Sequence, residues 1–165
     1  MKKIYTCLVY GEGRKEKIFL INLIDLKKFQ YHTSLWHFNY DNASGGSPKE
    51  ILEQCKKNIG VTNYDLILCF VDLDKLKTDF PKKWEQEKQK LEKEYSKCGI
   101  EIVWQINKLE DEFMKVLGKK EIGKKEINKL ANKQIEKFIN SEFWKRILRI
   151  IKDKERHLNN KLNIK

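Results

Sequence analysis

Leu66-Ile67-Leu68-Cys69-Phe70-Val71, closed by Asp72-Leu73-Asp74, is the stretch on which the fold turns. Six apolar residues in a row, with no polar alternation, suit a strand buried on both faces, as at the centre of a parallel sheet. Toward the N-terminus, Ile4 to Tyr10 (IYTCLVY) is β-branched, aromatic and apolar, and predicts a first strand. It runs into the turn Gly11-Glu12-Gly13 and then into Glu16 to Leu26, where Phe19, Leu20, Leu23 and Ile24 recur at helical spacing. Gln30 to Asn39 is expected to be a second strand. A helix to about Asn58 follows, with Ser47 as its cap, Pro48 at its first position and Glu50 completing a capping box. C-terminal to Asp74, a charged helix is expected from about Pro81 to Lys97, with Trp84, Leu91 and Tyr95 inward and Gly99 ending it. Ile100 to Ile106 reads as a fourth strand. Asn107-Lys108-Leu109-Glu110 reads as a capping box that opens a helix through about Leu117.

Beyond Gly118 only helices are expected, Glu126 to Asn140 and Glu142 to about Asn160, the second capped by Ser141 and burying Phe143, Trp144, Ile147, Leu148 and Ile151. The alternation implies an α/β fold of the doubly wound kind: a mainly parallel four-stranded sheet flanked by helices, with strand one next to strand three. Residues 1–118 form the α/β domain in this reading, and residues 119–165 a basic helical extension packed on or beside it.

Charge is unevenly distributed. The chain of 165 residues carries 35 Lys+Arg against 24 Asp+Glu, a net +11. Of these, 15 basic and 6 acidic residues lie in 119–165, a net +9 there, which leaves +2 for residues 1–118. A patch of that sign attracts polyanions through counterion release, so nucleic acid is the expected partner of the C-terminal third, with lysine-rich solvated helix faces as the alternative. No apolar run approaches the roughly 18 residues of a membrane span, and no signal-peptide cleavage pattern follows Tyr10, so a cytoplasmic protein without membrane contact is expected. Cys7, Cys55, Cys69 and Cys98 lie far apart and form no CxxC, which suits reduced, mostly buried thiols.

In open α/β sheets, ligands bind at the carboxyl ends of strands, where strand order reverses. Glu12 follows the first strand there, and Asp72 and Asp74 follow the third. The Gly-Glu-Gly turn lacks the GxxxxGK[ST] of a phosphate loop, and a carboxylate inside it repels a bare phosphate while attracting a divalent cation. Asp72 and Asp74, two apart on an extended strand, would project to one side and converge on a hard cation such as Mg2+ or Mn2+. The competing reading is a turn in which each Asp bonds nearby backbone. Glu16 either joins the metal or opposes the positive end of its helix, and Glu110 is either a ligand or the back-bonding member of its capping box. Lys15 or Lys17 could steady a phosphate oxygen. His32, His37 and His157 read as structural.

At these residues the chain resembles the TOPRIM fold, in particular the small TOPRIM-like proteins of the RloB and OLD-nuclease type associated with bacterial phage defence. The resemblance rests on strand-GEGxxE-helix (Gly11 to Glu16), on the apolar strand ending in DxD (Asp72, Asp74), and on the later strand followed by an acidic residue near Glu110. It covers roughly residues 1–117. The chain has Lys15 where RloB-like chains commonly have Thr, and Leu73 where they carry Arg within the DxD. The resemblance implies acid/base chemistry at Glu12 and magnesium at Asp72 and Asp74. The expected function is thus a Mg2+-dependent phosphoryl-transfer enzyme, a nuclease acting on DNA or RNA. The alternative is a non-catalytic module that binds nucleic acid or a partner protein such as an associated ATPase.

Overall fold

The computed structural model of the protein describes residues 4–30, 35–105, 109–118 and 123–163. Its elements are β1 (Tyr5–Gly11), α1 (Arg14–Gln30), β2 (Trp36–Asn42), α2 (Pro48–Ile59), β3 (Leu66–Asp72), α3 (Leu73–Asp79), α4 (Trp84–Ser96), β4 (Ile100–Gln105), α5 (Leu109–Leu117), α6 (Lys124–Lys133), a 3-10 helix (Ile135–Asn140) and α7 (Glu142–Asn163). All four strands are parallel, in the order β2-β1-β3-β4. The chain therefore steps from β1 to one neighbour, crosses back to the other side for β3, and continues outward to β4. Strand order reverses between β1 and β3, and the carboxyl ends of these two strands flank the crevice that such a reversal creates.

Leu66 to Val71 are all buried, as a strand covered on both faces must be. Alternate side chains feed two cores. One collects Val9, Phe70 and Val103 with Phe19, Leu20 and Leu23 of α1, Phe113 of α5, and Phe143, Trp144, Ile147 and Ile151 of α7. The other collects Tyr10, Cys69 and Val71 with Ile51, Leu52 and Cys55 of α2, Leu73 and Leu76 of α3, and Leu91 and Tyr95 of α4.

The C-terminal helices share the first core with the sheet. Phe19 meets Phe113 at 4.4 Å and Phe138 at 5.0 Å between ring centroids, and Phe70 meets Phe143 at 6.0 Å. The far end of α7 is tied to the amino ends of the first two strands: the Tyr5 hydroxyl donates to Asn159 Oδ1 at 2.6 Å, and Trp36 Nε1 donates to Glu155 Oε2 at 3.3 Å.

Several boundaries differ from the sequence expectation. α1 continues past Leu26 to Gln30, because Asp25-Leu26-Lys27-Lys28 contains no breaker and suits a helix. β2 consequently begins at Trp36, and its alternation Trp36, Phe38, Tyr40 faces the first core while His37 and Asn39 are exposed. α3 is an added helix of seven residues. The expected helix from Glu126 to Asn140 divides into α6 and the 3-10 helix at Gln134, whose N–H still bonds Leu130 O. Ser47 accepts the N–H of Glu50 at 3.3 Å, as a cap should. Its hydroxyl donates to Glu50 Oε1 at 3.2 Å in place of the expected back-bond. Gly99 adopts φ +78 just after α4, a conformation that favours glycine. His32, Ile106, Asn107 and Lys108 lie outside the described residues, so the second capping box is not seen. Cys7, Cys55 and Cys69 are buried free thiols and Cys98 is half-buried. No helix among the described residues is long and apolar enough to cross a membrane.

Candidate carboxylate site at the strand switch point

β1 delivers Gly11 to the carboxyl edge of the sheet, and Glu12 sits in the turn before α1. The β2–α2 connection holds that turn from one side: Ala43 N–H donates to Gly11 O at 2.9 Å and Gly45 N–H to Glu12 O at 3.1 Å. From the other side comes the end of β3. Glu12 Oε1 accepts the backbone N–H of Asp72 at 2.6 Å, a charge-assisted bond that joins the two strand ends across the switch point. Asp72 in turn accepts the N–H of Asp74 on Oδ1 at 2.9 Å and so caps α3. Glu12, Asp72 and Asp74 are all half-buried.

Glu12 and Asp72 are therefore in direct contact, as the adjacency of the first and third strands required. The geometry argued for Asp74 needs correction. Asp72 is the last residue of β3 and Asp74 the second of α3, so the two do not project from one extended strand. The Asp72 carboxylate does what the competing reading assigned it, bonding backbone nearby. Lys17 is half-buried in the first turns of α1, where its N–H bonds Gly13 O at 3.1 Å. The side chains of Lys15, Glu16 and Glu110 lie outside the described ones. His37 on β2 and His157 on α7 are both exposed.

Three further residues border this edge. Gln105, only 1% exposed, ends β4 in register with Asp72, and its Nε2 has no hydrogen-bond partner among the described residues. A buried donor of this kind is costly unless something accepts from it. Arg146 reaches from the first turns of α7 to donate from Nη1 to Trp104 O at 3.1 Å, one residue before Gln105. Lys75 of α3 donates from Nζ to Gly46 O and pins the β2–α2 connection against the DxD segment. Gly46 has φ +122, a conformation that favours glycine, where the connection closes down on α2. Gln105 carried one sequence signal, a polar residue directly after the apolar run Ile102-Val103-Trp104. Arg146 and Lys75 carried none.

Beside the turn lies a cleft of about 390 Å3 lined by Tyr10, Asn42, Ser44, Gln54, Lys57 and Asn58. Burial pushes the Tyr10 phenol up to about 12, a hydrogen bond with Asn58 offsetting part of the effect. The cleft lining includes neither Glu12 nor Asp72.

Among the described residues, no group of three or more His, Cys, Asp or Glu side chains could hold a metal ion. The pair Glu12–Asp72 suits a different kind of site, because Mg2+ is commonly held by one or two carboxylates together with waters and substrate phosphates. Oxygen donors, half-burial and proximity at one crevice fit such an ion. No family model matches the chain, and comparison with curated proteins and with solved structures returns no match either.

Proposed function

We propose that the chain is a TOPRIM-like, Mg2+- or Mn2+-dependent phosphoryl-transfer enzyme that cleaves nucleic acid, DNA or RNA. The observation that carries this reading is the 2.6 Å bond from Asp72 N–H to Glu12 Oε1, which brings the Glu12 carboxylate to the end of β3, where Asp72 stands, at the switch point of a parallel sheet. In this reading Asp72 and Glu12 hold the ion, with Asp74, Glu16 and Glu110 as the remaining acidic residues of the edge. When bound, the ion stabilises charge on a phosphoryl oxygen and makes coordinated water more acidic. Glu12 takes the proton of the attacking water, Lys15 or Lys17 steadies a phosphate oxygen, and the buried Gln105 amide supplies a donor facing the same edge.

The basic residues of α7 support a polyanionic substrate. Lys145, Arg149, Lys152 and Arg156 are all exposed, and their spacing of four, three and four places them along one helix face. Lys145 pairs with Glu142 at 3.5 Å and Arg156 with Asp153, both on the surface, where such pairs are weak and exchange readily for phosphate contacts.

One observation favours a second reading, a non-catalytic module that binds nucleic acid or an associated ATPase: Asp72 is engaged as the cap of α3. The melting temperature with and without magnesium or manganese, measured for the parent and Asp72→Asn beside cleavage of single- and double-stranded substrates, separates the two. The catalytic reading expects the ions to raise the parent's melting temperature, Asp72→Asn to abolish that rise with the fold intact, and cleavage to require the ion. A parent that ignores both ions and cleaves nothing in their presence leaves the binding module.

A further inference from the structure

We infer that the α3–α4 corner, Thr78 to Trp84, is a stacking platform for single-stranded nucleic acid leaving the carboxylate edge. The inference rests on the reading of that edge as a phosphoryl-transfer site and names its substrate class, a single strand.

Phe80 is the starting observation. It follows the buried Leu76 by four residues and would continue the inward stripe of α3 if that helix ran on. The helix instead ends at Asp79, and Phe80 is 41% exposed, while every other aromatic whose side chain is described is buried or half-buried. The ring is displayed on fixed backbone: Phe80 N–H bonds Leu76 O at 2.9 Å, Phe80 O accepts Lys83 N–H at 3.2 Å, and Pro81 stiffens the link between them.

A single exposed aromatic is ordinary on a protein surface. Its surroundings are less so. All six residues from Thr78 to Lys83 are exposed, with Lys82 and Lys83 directly after the ring. Trp84, four residues on, is half-buried, and the Lys77 ammonium lies over its ring 4.7 Å from the centroid, a cation–π contact that adds a third lysine to the corner. Aromatic faces interleaved with lysines are the combination that binds single strands without reading their sequence: bases stack on the rings, and the ammonium groups follow the phosphates. A duplex offers this surface only phosphates, since its bases are stacked on one another.

Position supplies the link to the site. α3 begins at the Asp72 cap and has seven residues, a rise of about 10 Å, so the platform stands a few nucleotides from the carboxylates along one strand. It lies on the α2/α3/α4 side of the sheet, opposite the face covered by α7. The single-strand contact and the basic stripe of α7 are thus separate surfaces on opposite faces of the sheet.

The test is binding of a labelled oligothymidylate strand, and of its duplex with oligoadenylate, to the full chain in EDTA, followed by anisotropy and by quenching of tryptophan fluorescence. The parent is expected to prefer the single strand. Phe80→Ala is expected to weaken that binding by about 5- to 150-fold, the loss of one stacked base. Duplex binding and melting temperature should stay unchanged, and Phe80→Trp should restore the strand affinity. Replacing Lys82 and Lys83 by Gln should flatten the salt dependence. Equal strand affinity for the parent and Phe80→Ala, a preference for duplex, or no strand binding at all overturns the inference, the last also if the corner captures a protein. Ion-dependent cleavage that survives with strand binding indifferent to Phe80 refutes the platform and leaves the carboxylate reading standing. Phe80-dependent binding with no turnover in magnesium or manganese does the reverse.

Discussion

Replacing Glu12 by alanine should weaken the fold at the point where the first and third strands meet. The side chain does not fill a core; its role in the fold is the bond that Oε1 accepts from Asp72 N–H at 2.6 Å. Hydrogen bonds to charged groups contribute about 1.5–3 kcal/mol net, and a donor left without its acceptor adds a cost that water reduces at a half-buried position. For a chain of 165 residues, about 2–4 °C of melting temperature corresponds to each kcal/mol, so Glu12→Ala should melt roughly 3–12 °C below the parent. Glu12→Gln keeps an acceptor oxygen and loses only the charge. Neutral bonds contribute about 0.5–1.5 kcal/mol, so the glutamine variant should fall between the two. Relief of repulsion with Asp72 moves it further toward the parent. Turnover should not follow this order, because an amide accepts no proton and loss of a general base costs about 10²- to 10⁴-fold in either variant. Calorimetry or circular dichroism in EDTA, alongside a cleavage assay with magnesium, measures both quantities. If Glu12→Ala melts within 1 °C or so of the parent, the bond does not hold the switch point together, and the reasoning from it fails.

Other outcomes follow from the same geometry. A chain ending at Gly118 should not fold cooperatively, because Phe138, Phe143, Trp144, Ile147 and Ile151 are buried in the core that also contains Phe19 and Phe70; at about 1.5–3 kcal/mol each their loss rivals the whole stability of a domain, and a sharp thermal transition in the truncated chain would refute this. Stability should hold below pH 10 and decline from there through about 12, since burial raises Tyr10 to about 12 and burial plus the Glu53 carboxylate raise Tyr95 further, so the unfolded chain releases these protons first. A melting temperature flat from pH 9 to about 12 would contradict it. Gln105→Leu should stabilise the fold by about 1 kcal/mol by removing an unpaired buried donor and should lower turnover if the amide serves the substrate; destabilisation would indicate that the amide is satisfied.

What could be read from the residues depended on how local the cause was. The Leu66–Val71 run identifies its strand because burial on both faces leaves little room for another pattern, whereas placing strand one beside strand three needs, besides the alternation of strands and helices, the premise that Glu12 and Asp72 meet. α3 escaped notice because a helix of seven residues with only Leu73 and Leu76 buried shows no repeat. α1 runs beyond the Phe19, Leu20, Leu23, Ile24 stripe because the residues after it contain no helix breaker, and the spacing of the stripe alone does not mark where the helix ends. The division at Gln134 is tertiary in origin: Phe138 must reach Phe19 at 5.0 Å and Phe113 at 5.5 Å, and a tighter 3-10 turn brings it there. Gln105 and Arg146 belong to the edge only through the register of β4 and the packing of α7, neither of which a linear reading contains.

The bonds at the edge satisfy two demands that differ in kind. The fold asks for an acceptor at position 12 to receive Asp72 N–H and for a cap at position 72 to receive Asp74 N–H. Neither demand requires charge: glutamine carries an acceptor oxygen, and asparagine caps a helix about as well as aspartate. Two carboxylates brought together across adjacent strand ends repel each other, a cost that amides at the same positions would avoid while keeping the same bonds. In the proposed reading that charge has a purpose, because a divalent cation acts at contact and turns the repulsion between its ligands into attraction toward itself. Apo stability therefore reports the acceptor and the cap: Asp72→Asn should barely move it, and Glu12→Gln should lower it by less than Glu12→Ala does. In the proposed reading a shift that magnesium adds to the melting temperature reports the charges, which makes its loss in Asp72→Asn, with the apo value retained, the measurement that separates the chemistry of the edge from its architecture.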